Sequence, residues 1–272
     1  MLMSTICLTH EQRQSIQLYV LNTVATFGIL HTPKHAVPPY PLVIILHGLA
    51  SNKIGSHRSH VELAEKLSAC GIATLRVDLP GHGDAEGSLA DFSFDDYLTS
   101  VKDIISYSYS LNNIDTKKIS IFGSSLGGTL ALISVPYFPH IHSLAVWAPT
   151  IQGSIWLQET MNIPNDLLTH STSSEDILYA GLPINKTFCS QFIEMDITKE
   201  VSKFSSSLSI LHMQGEEDTT VSLRHQNIFK DAMNKKSHPC DIRTYPQINH
   251  NLPHSSSIIM ELVEWLKQQL LS

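Results

Sequence analysis

The chain has 272 residues, which is enough to bury a large hydrophobic core without stabilising disulfide bonds or structural metal ions. Hydrophobic residues make up 42% and charged residues 16%, which argues against intrinsic disorder. The formal net charge is -7 and no run of Lys or Arg occurs, which argues against nucleic acid as a partner. Residues 1–17 are polar, and no apolar stretch is long enough to span a bilayer. We therefore expect a cytoplasmic protein without a transmembrane segment.

Short aliphatic runs, typical of parallel strands covered on both faces, recur along the chain. The predicted strands are residues 24–30, 42–46, 72–77, 119–122, 143–147, 208–213 and 242–245. Apolar residues at helical spacing lie between them, over residues 61–67, 94–105 and 259–270. Gly71 is expected to end the first of these helices, and Ser93 with Asp96 to cap the second. The alternation predicts an α/β fold, a single domain over residues 1–272 with a mostly parallel central sheet flanked by helices.

Residues 151–206 interrupt this alternation. They are rich in Ser and Thr, mix aromatic residues with short helical patterns, and form a segment far longer than an ordinary connection. A peripheral pair of helices is one interpretation of the segment. A cap, or lid, over a substrate pocket is the interpretation that its aromatic content favours. The aromatic pocket candidates are Trp156, Tyr179, Phe188 and Phe192.

A G-x-S-x-G motif spans residues 123–127 and places Ser125 at its centre. The motif directly follows a predicted strand and opens a helical pattern, which is the context of a strained turn that exposes a nucleophilic serine. Gly123 and Gly127 leave room for such a turn because they carry no side chains. Ser124 lies outside the motif's register. Ser125 is therefore the candidate nucleophile.

A serine hydroxyl needs a base within hydrogen-bond reach and an acid that orients the base. Asp218 and His250 follow the strands predicted at 208–213 and 242–245, so both fall where parallel strands end and α/β sheets build their sites. Ser125, Asp218 and His250 thus form a coherent triad. The nearest rivals are Glu216 and Glu217 for the acid, and His238 and His254 for the base.

Two backbone N–H groups are expected to bind the oxyanion of the reaction intermediate. One belongs to Leu126, which follows the nucleophile, and the other to Leu49, in the loop after the strand at 42–46. His47 and Gly48 in the same loop are further pocket candidates. No CxxC pair, phosphate-binding loop or dinucleotide fingerprint occurs, so we expect neither a metal nor a cofactor. His57 and His60 lack a third ligand and are interpreted as a surface pair.

Taken together, His47-Gly48, Gly81-His82-Gly83, the Ser125 turn, Asp218 and His250 resemble the α/β-hydrolase superfamily. The resemblance runs from about Val24 to the C-terminus. Within the superfamily the sequence is most similar to the serine-aminopeptidase-like, or hydrolase 4, branch and to bacterial cinnamoyl and feruloyl carboxylesterases. This resemblance implies an α/β-hydrolase fold with a helical cap inserted after the sixth strand. Ser124 departs from the pattern, since many relatives have His there.

From the motif and the resemblance we expect a serine hydrolase that cleaves short-to-medium acyl or aryl esters through an acyl-enzyme. Its partner would be a small-molecule ester, and the protein would be a monomer or a homodimer. An aminopeptidase, a thioesterase or a monoacylglycerol lipase-like enzyme remains an alternative, as does a non-catalytic ligand-binding protein on the same fold. An aminopeptidase would need acidic groups near Ser125. The candidates are Glu159, Asp166, Glu175, Asp176 and Glu194.

Overall fold

Eight strands form one sheet through the middle of the molecule, in the order β1-β2-β4-β3-β5-β6-β9-β10. The computed structural model describes residues 10–162, 177–253 and 257–272. The sheet strands are β1 Glu11–Val20, β2 Val24–Pro33, β3 Tyr40–Leu46, β4 Ala73–Val77, β5 Ile114–Ser124, β6 Ile141–Trp147, β9 Ser209–Gly215 and β10 Asp241–Tyr245. Strands from β4 to β10 along this order are parallel, and β1 and β2 are antiparallel to their neighbours. The predicted mostly parallel α/β sheet is confirmed.

Helices cover both faces of this sheet. They are α1 Ser59–Ala69, α2 Phe94–Ser108, α3 Leu126–Ser134, α4 Gly153–Met161, α5 Lys186–Ile193, α6 Arg224–Lys235 and α7 Ser257–Leu271. Short 3-10 turns occupy Ser56–Arg58, Leu89–Asp91, Val135–Tyr137, Ile197–Lys199 and Val201–Lys203. None of the helices in the described part of the chain is both long and apolar enough to cross a membrane.

The central strands are aliphatic throughout because both of their faces are buried. Along β3, Leu42, Ile44 and Leu46 belong to one hydrophobic core. Val43 and Ile45 belong to the other, beneath α1 and α7. All five side chains are completely buried, and this requires the unbroken apolar run that predicted the strand.

Capping residues that can be recognised in the sequence mark the start of α2 and the end of α1. The Ser93 side chain accepts a hydrogen bond from the Asp96 backbone, and the Asp96 carboxylate accepts one from the Ser93 backbone. This capping box begins α2 as predicted. After α1 ends at Ala69, Gly71 adopts φ +87°, a left-handed conformation that glycine adopts without strain.

Strand β1 was not predicted. Its second half alternates buried Ile16, Leu18 and Val20 with exposed residues, whereas its first half has four exposed residues in succession. As the outermost strand, β1 needs apolar side chains on one face only. Its sequence is therefore largely polar and lacks the continuous aliphatic run by which the other strands were predicted. It pairs with β2 over its whole length.

Residues 151–206 leave the sheet after β6 and return to it at β9. Their described part contains α4, α5 and a small hairpin of β7 Ile177–Tyr179 and β8 Leu182–Ile184. A bridge between Gln152 and Asp196 closes the base of the segment. Asp166, Glu175 and Asp176 lie outside the described residues, as does His254 farther along the chain.

Candidate active site

Ser125 lies at a sharp turn between β5 and α3, with φ 51° and ψ -122°. This conformation is strained for a residue with a side chain and is held by its surroundings. The Ser125 N–H donates to the Trp147 carbonyl at 2.8 Å, and the Ser125 carbonyl accepts from Gly128 at 2.9 Å. A Cβ atom at Gly123 would lie 2.5 Å from the Gly127 carbonyl oxygen, so the turn needs glycine there.

Asp218 and His250 meet at the ends of β9 and β10. The Asp218 Oδ2 atom lies 2.8 Å from His250 Nδ1, and the Asp218 side chain is completely buried. The other carboxylate oxygen, Oδ1, accepts from the Thr220 N–H at 2.9 Å and the Val221 N–H at 2.8 Å. Because an ionised carboxylate only accepts, His250 Nδ1 carries a proton and Nε2 is left as the basic nitrogen.

The His250 backbone is fixed as well. Its carbonyl accepts a hydrogen bond from the Trp147 indole Nε1 at 2.7 Å, and the Trp147 ring stacks on Tyr245. Trp147 therefore hydrogen-bonds both Ser125 and His250, since its own carbonyl accepts the bond from the Ser125 N–H.

Ser125 and His250 line one cavity of about 280 Å³. Among the predicted site residues, Gly48, Leu49 and Tyr179 also line it. A Cβ atom at Gly48 would lie 3.0 Å from the Ser125 Cβ and 3.5 Å from its Oγ, so this loop lies directly against the serine. Leu126 is the first residue of α3, where a backbone N–H has no partner within the helix.

Two buried imidazoles shape the loop that carries Leu49. His47 Nδ1 donates to the Gly48 carbonyl at 2.8 Å, and its Nε2 accepts from the Leu79 N–H at 2.9 Å. His82 Nε2 accepts from the Ala50 N–H at 3.1 Å. Burial lowers the pKa of both rings, and for His47 the nearby His82 lowers it further. Neutral rings with one donor and one acceptor nitrogen fit these bonds.

A chain of buried charges extends from this loop to the first strand. Lys53 Nζ lies 2.5 Å from Asp78 Oδ2, and the Lys53 N–H donates to Asp78 Oδ1 at 2.7 Å. The Lys53 carbonyl accepts from Arg76, whose guanidinium also contacts His31 Nε2 at 2.9 and 3.0 Å. His31 Nδ1 in turn lies 2.6 Å from Glu11 on β1. Burial lowers the pKa of Arg76 to about 10, and it also lowers the pKa of His31.

Three of the four aromatic pocket candidates do not line the described part of the cavity. Phe188 and Phe192 stack on each other and meet Phe94 of α2 edge-on, so they belong to the core. Trp156 packs its ring against Phe192 and is 4% exposed. Residues four apart share one helix face, and here that face of α5 covers α2 rather than a ligand. His47 is likewise buried behind the cavity wall rather than on it.

The rival residues that the structure describes do not line the cavity. Glu216 and Glu217 are exposed, and His238 hydrogen-bonds the Ser205 carbonyl at the surface. Glu159 pairs with Arg224 at 3.2 Å. Within the described ranges, no three His, Cys, Asp or Glu side chains come together as a metal site.

Sequence reasoning missed the polar part of the cavity wall. Its residues are Ser51, Gly55, Ser56, Ser59, His60, Ser124, Thr220 and Asn251. The surface interpretation of His60 is wrong, because the residue is only 2% exposed, whereas His57 is exposed. The signal available in the sequence was helical spacing: His60 lies three, four and seven residues before the buried Leu63, Ala64 and Leu67 of α1.

Comparison with known proteins agrees with this architecture. Residues 38–256 match the family model Hydrolase_4, described as serine aminopeptidase S33. The structure is similar to that of Est1E from Butyrivibrio proteoclasticus with ferulic acid bound. The TM-score is 0.81 at 22% identity, covering 94% of this chain and 100% of that one. At this identity the likeness shows the α/β-hydrolase fold alone.

Curated relatives match over shorter stretches. An uncharacterized Mycobacterium tuberculosis protein, Rv2715, is 28% identical over 101 residues, which are 37% of this chain and 26% of that protein. The 2,6-dihydropseudooxynicotine hydrolase of Paenarthrobacter nicotinovorans is 30% identical over 123 residues, which are 45% of this chain and 32% of that enzyme. These matches thus span about a quarter to a third of the relatives' own length.

Proposed function

Because the chain belongs to the serine aminopeptidase S33 family and has the α/β-hydrolase fold, we propose that it is a serine carboxylesterase. Its substrates would be short-to-medium acyl or aryl esters, cleaved through an acyl-enzyme. One observation carries the proposal. The Asp218–His250 hydrogen bond ends at a cavity that Ser125, held in a strained turn, also lines.

In the proposed reaction, Ser125 Oγ attacks the ester carbonyl while His250 Nε2 accepts its proton. The Leu49 and Leu126 N–H groups bind the negative oxygen of the tetrahedral intermediate. His250 then donates the proton to the leaving alcohol, and Asp218 stabilises the imidazolium in between. Water, activated by His250, hydrolyses the acyl-enzyme and restores Ser125.

As far as the described residues define it, the cavity suits ester substrates better than peptides with a free amino terminus. No carboxylate is among the described residues that line it, and a bound ammonium group needs one. Of the acidic candidates within the described ranges, Glu159 is paired with Arg224 and Glu194 is exposed. A volume of about 280 Å³ suits a substrate of modest size.

We assign residues 151–206 the role of a cap within a single domain. Tyr179 and Ala180, at the tip of its hairpin, are the cap residues that line the described cavity wall. The Trp156 ring lies 5.3 Å from the Tyr179 ring and would support it from behind. The cap would thus reach the substrate through Tyr179, with Trp156, Phe188 and Phe192 holding the cap to the core.

The test is hydrolysis of p-nitrophenyl esters, from acetate to palmitate, together with labelling by a fluorophosphonate probe. Wild type should cleave the shorter esters and take up one label at Ser125, and Ser125→Ala should lose both. Ser106→Ala, on the exposed face of α2, is the matched control and should behave as wild type. Cleavage only of aminoacyl anilides or acyl thioesters would select those alternatives. An unlabelled, inert wild type would favour the ligand-binding protein.

A further inference from the structure

The cavity has a polar recess beside the nucleophile, between the loop at residues 51–59, the start of α1 and the segment after His250. Its wall consists of Ser51, Ser56, Ser59, His60, Ser124 and Asn251. A hydrogen bond of 2.8 Å from Ser56 Oγ to Asn251 Oδ1 joins the two sides of the recess. No charged side chain is among the described residues that line the cavity, so the recess is polar and neutral.

His60 lies within this wall in a fixed orientation. Its ring contacts Phe122 edge-on at 5.9 Å, and Gly55 lies against it so closely that a Cβ there would be 2.6 Å from His60 Cγ. Its Nε2 lies 3.4 Å from Ser124 Oγ. Ser124 immediately precedes the nucleophile, so the pair stands next to the reacting bond.

The other ring nitrogen of His60, Nδ1, has no hydrogen-bond partner among the residues that the structure describes. Nine buried polar side-chain atoms in the described structure lack one, and His60 Nδ1 is the only one whose residue lines the cavity. A buried polar atom left unpaired costs about 1–3 kcal/mol, so a hydrogen bond from a ligand or an ordered water would be favourable there.

The protonation state of the ring selects the kind of ligand. Burial, with the Arg76 charge adding to it, lowers the pKa of His60 to about 3. At neutral pH the ring is therefore uncharged, with one donor and one acceptor nitrogen, and the Ser124 hydroxyl can also do both. Such a pair matches a hydroxyl group, which donates and accepts, and offers a carboxylate or an ammonium ion no compensating charge.

We propose that His60 and Ser124 form a specificity subsite for a hydroxyl group carried by the substrate close to its ester bond. The proposal rests on the esterase function proposed above and defines the substrate class further. The hydroxyl belongs either to the acyl part or to the alcohol part of the ester. The same hydrogen-bonding chemistry serves both, and the experiment separates them.

The experiment compares kcat/KM for two matched pairs of esters. On the acyl side the pair is p-nitrophenyl 3-hydroxybutyrate and p-nitrophenyl butyrate. On the alcohol side it is 2-hydroxyethyl butyrate and propyl butyrate. Wild type should prefer the hydroxylated member of one pair by about tenfold or more, because its deoxy twin leaves the subsite unpaired.

Variants assign the preference to the subsite. In His60→Leu and in Ser124→Ala the ratio between the two esters should fall to about one. Two variants are used so that, if one of them fails to fold, the other still tests the subsite. His57→Leu, which changes an exposed histidine three residues away, should keep the wild-type ratio. Equal rates for both members of both pairs, or a preference that survives both variants, would overturn the proposal.

A binding measurement separates failure of the subsite from failure of the esterase function. If no ester is cleaved, the 15N resonances of the His60 ring are followed during titration with butane-1,3-diol and with butan-1-ol. A shift with the diol alone supports a hydroxyl subsite in a protein with another activity. No shift with either compound refutes it.

Discussion

Acid should destabilise this protein strongly, because it buries uncharged histidines. Burial lowers the pKa of His60 and of His212 to about 3, and that of His225 to about 4. In the unfolded chain each ring titrates near 6.5. As the pH falls below 6.5 the unfolded state takes up protons that the folded state does not. The stability that these neutral rings contribute is therefore fully present above pH 6.5 and is lost between pH 6.5 and about 3.

The magnitude follows from linkage. At pH 5 the unfolded form of each histidine is stabilised by RT ln(1 + 10^1.5), about 2 kcal/mol, while the folded form is still unprotonated. Any folded pKa below about 4 gives nearly the same free energy at pH 5, because the folded ring is then almost wholly neutral. The result therefore requires only that burial keeps the pKa low, and not a particular value. The three rings together cost about 6 kcal/mol, against a typical total stability of about 5–15 kcal/mol.

His212 is the best position at which to test this. It is completely buried on β9, and its nearest polar contact is a long one of 3.4 Å to Gln214 Oε1. Replacing it with leucine should reduce the stability lost between pH 8 and pH 5 by about 2 kcal/mol, whatever the offset at pH 8. Urea unfolding followed by tryptophan fluorescence at each pH measures this difference.

The control is His142→Gln, which removes an exposed histidine and should leave the pH dependence at the wild-type value. If His212→Leu loses as much stability as wild type between pH 8 and pH 5, the protein does not keep His212 neutral, and the reasoning from burial is refuted.

Three further changes test the site. Asp218→Asn should lower kcat by about 10³–10⁴-fold, because its amide would turn the proton of His250 to the wrong nitrogen; steady-state ester kinetics measures this. In Gly127→Ala the new Cβ would lie 2.5 Å from two backbone oxygens, so thermal unfolding should show a loss of about 3 kcal/mol or more. Lys53→Met leaves the buried Asp78 carboxylate without its cation; urea unfolding should show a loss of about 3 kcal/mol, with kcat falling more than KM rises.

Each of these three variants has a matched control variant at another position in the chain. Glu217→Gln alters an exposed neighbour of Asp218 and should keep wild-type kinetics. Gly181→Ala meets no atom within 4 Å but has φ +79°, so it should cost only about 1 kcal/mol. Lys66→Met breaks a partly exposed pair and should cost under about 1 kcal/mol. Losses of equal size in a test variant and its counterpart would contradict the structural reason given for it.

The sheet could be predicted from the sequence because burial on both faces demands continuous aliphatic runs, such as residues 42–46. The position of Ser125 could be predicted because the turn needs small residues at fixed spacing around it. The contact of Asp218 with His250 could be anticipated because parallel strands end at the same edge of the sheet. Each of these features depends on a local pattern that one stretch of sequence contains.

The other features of the fold and the site depend on contacts between elements that are distant in the sequence. A local sequence pattern does not show which elements pack together. Phe188 and Phe192 share one face of α5, but nothing in their spacing says whether the face covers a ligand or α2. The close contact between the loop at Gly55 and the His60 ring is of the same kind. Strand β1 was missed because an outer strand is apolar on one face only.

The chain of buried charges from Glu11 to Lys53 sets a limit on how far the protein can be shortened. The region that matches the family model begins at residue 38, after both β1 and β2. Trimming the protein to that region would remove Glu11 and His31, and the Arg76 guanidinium would lose its contact with the His31 ring. That same guanidinium holds the Lys53 carbonyl in the loop beside Ser125. The first two strands thus support the loop that runs beside Ser125, and a shortened protein must retain them.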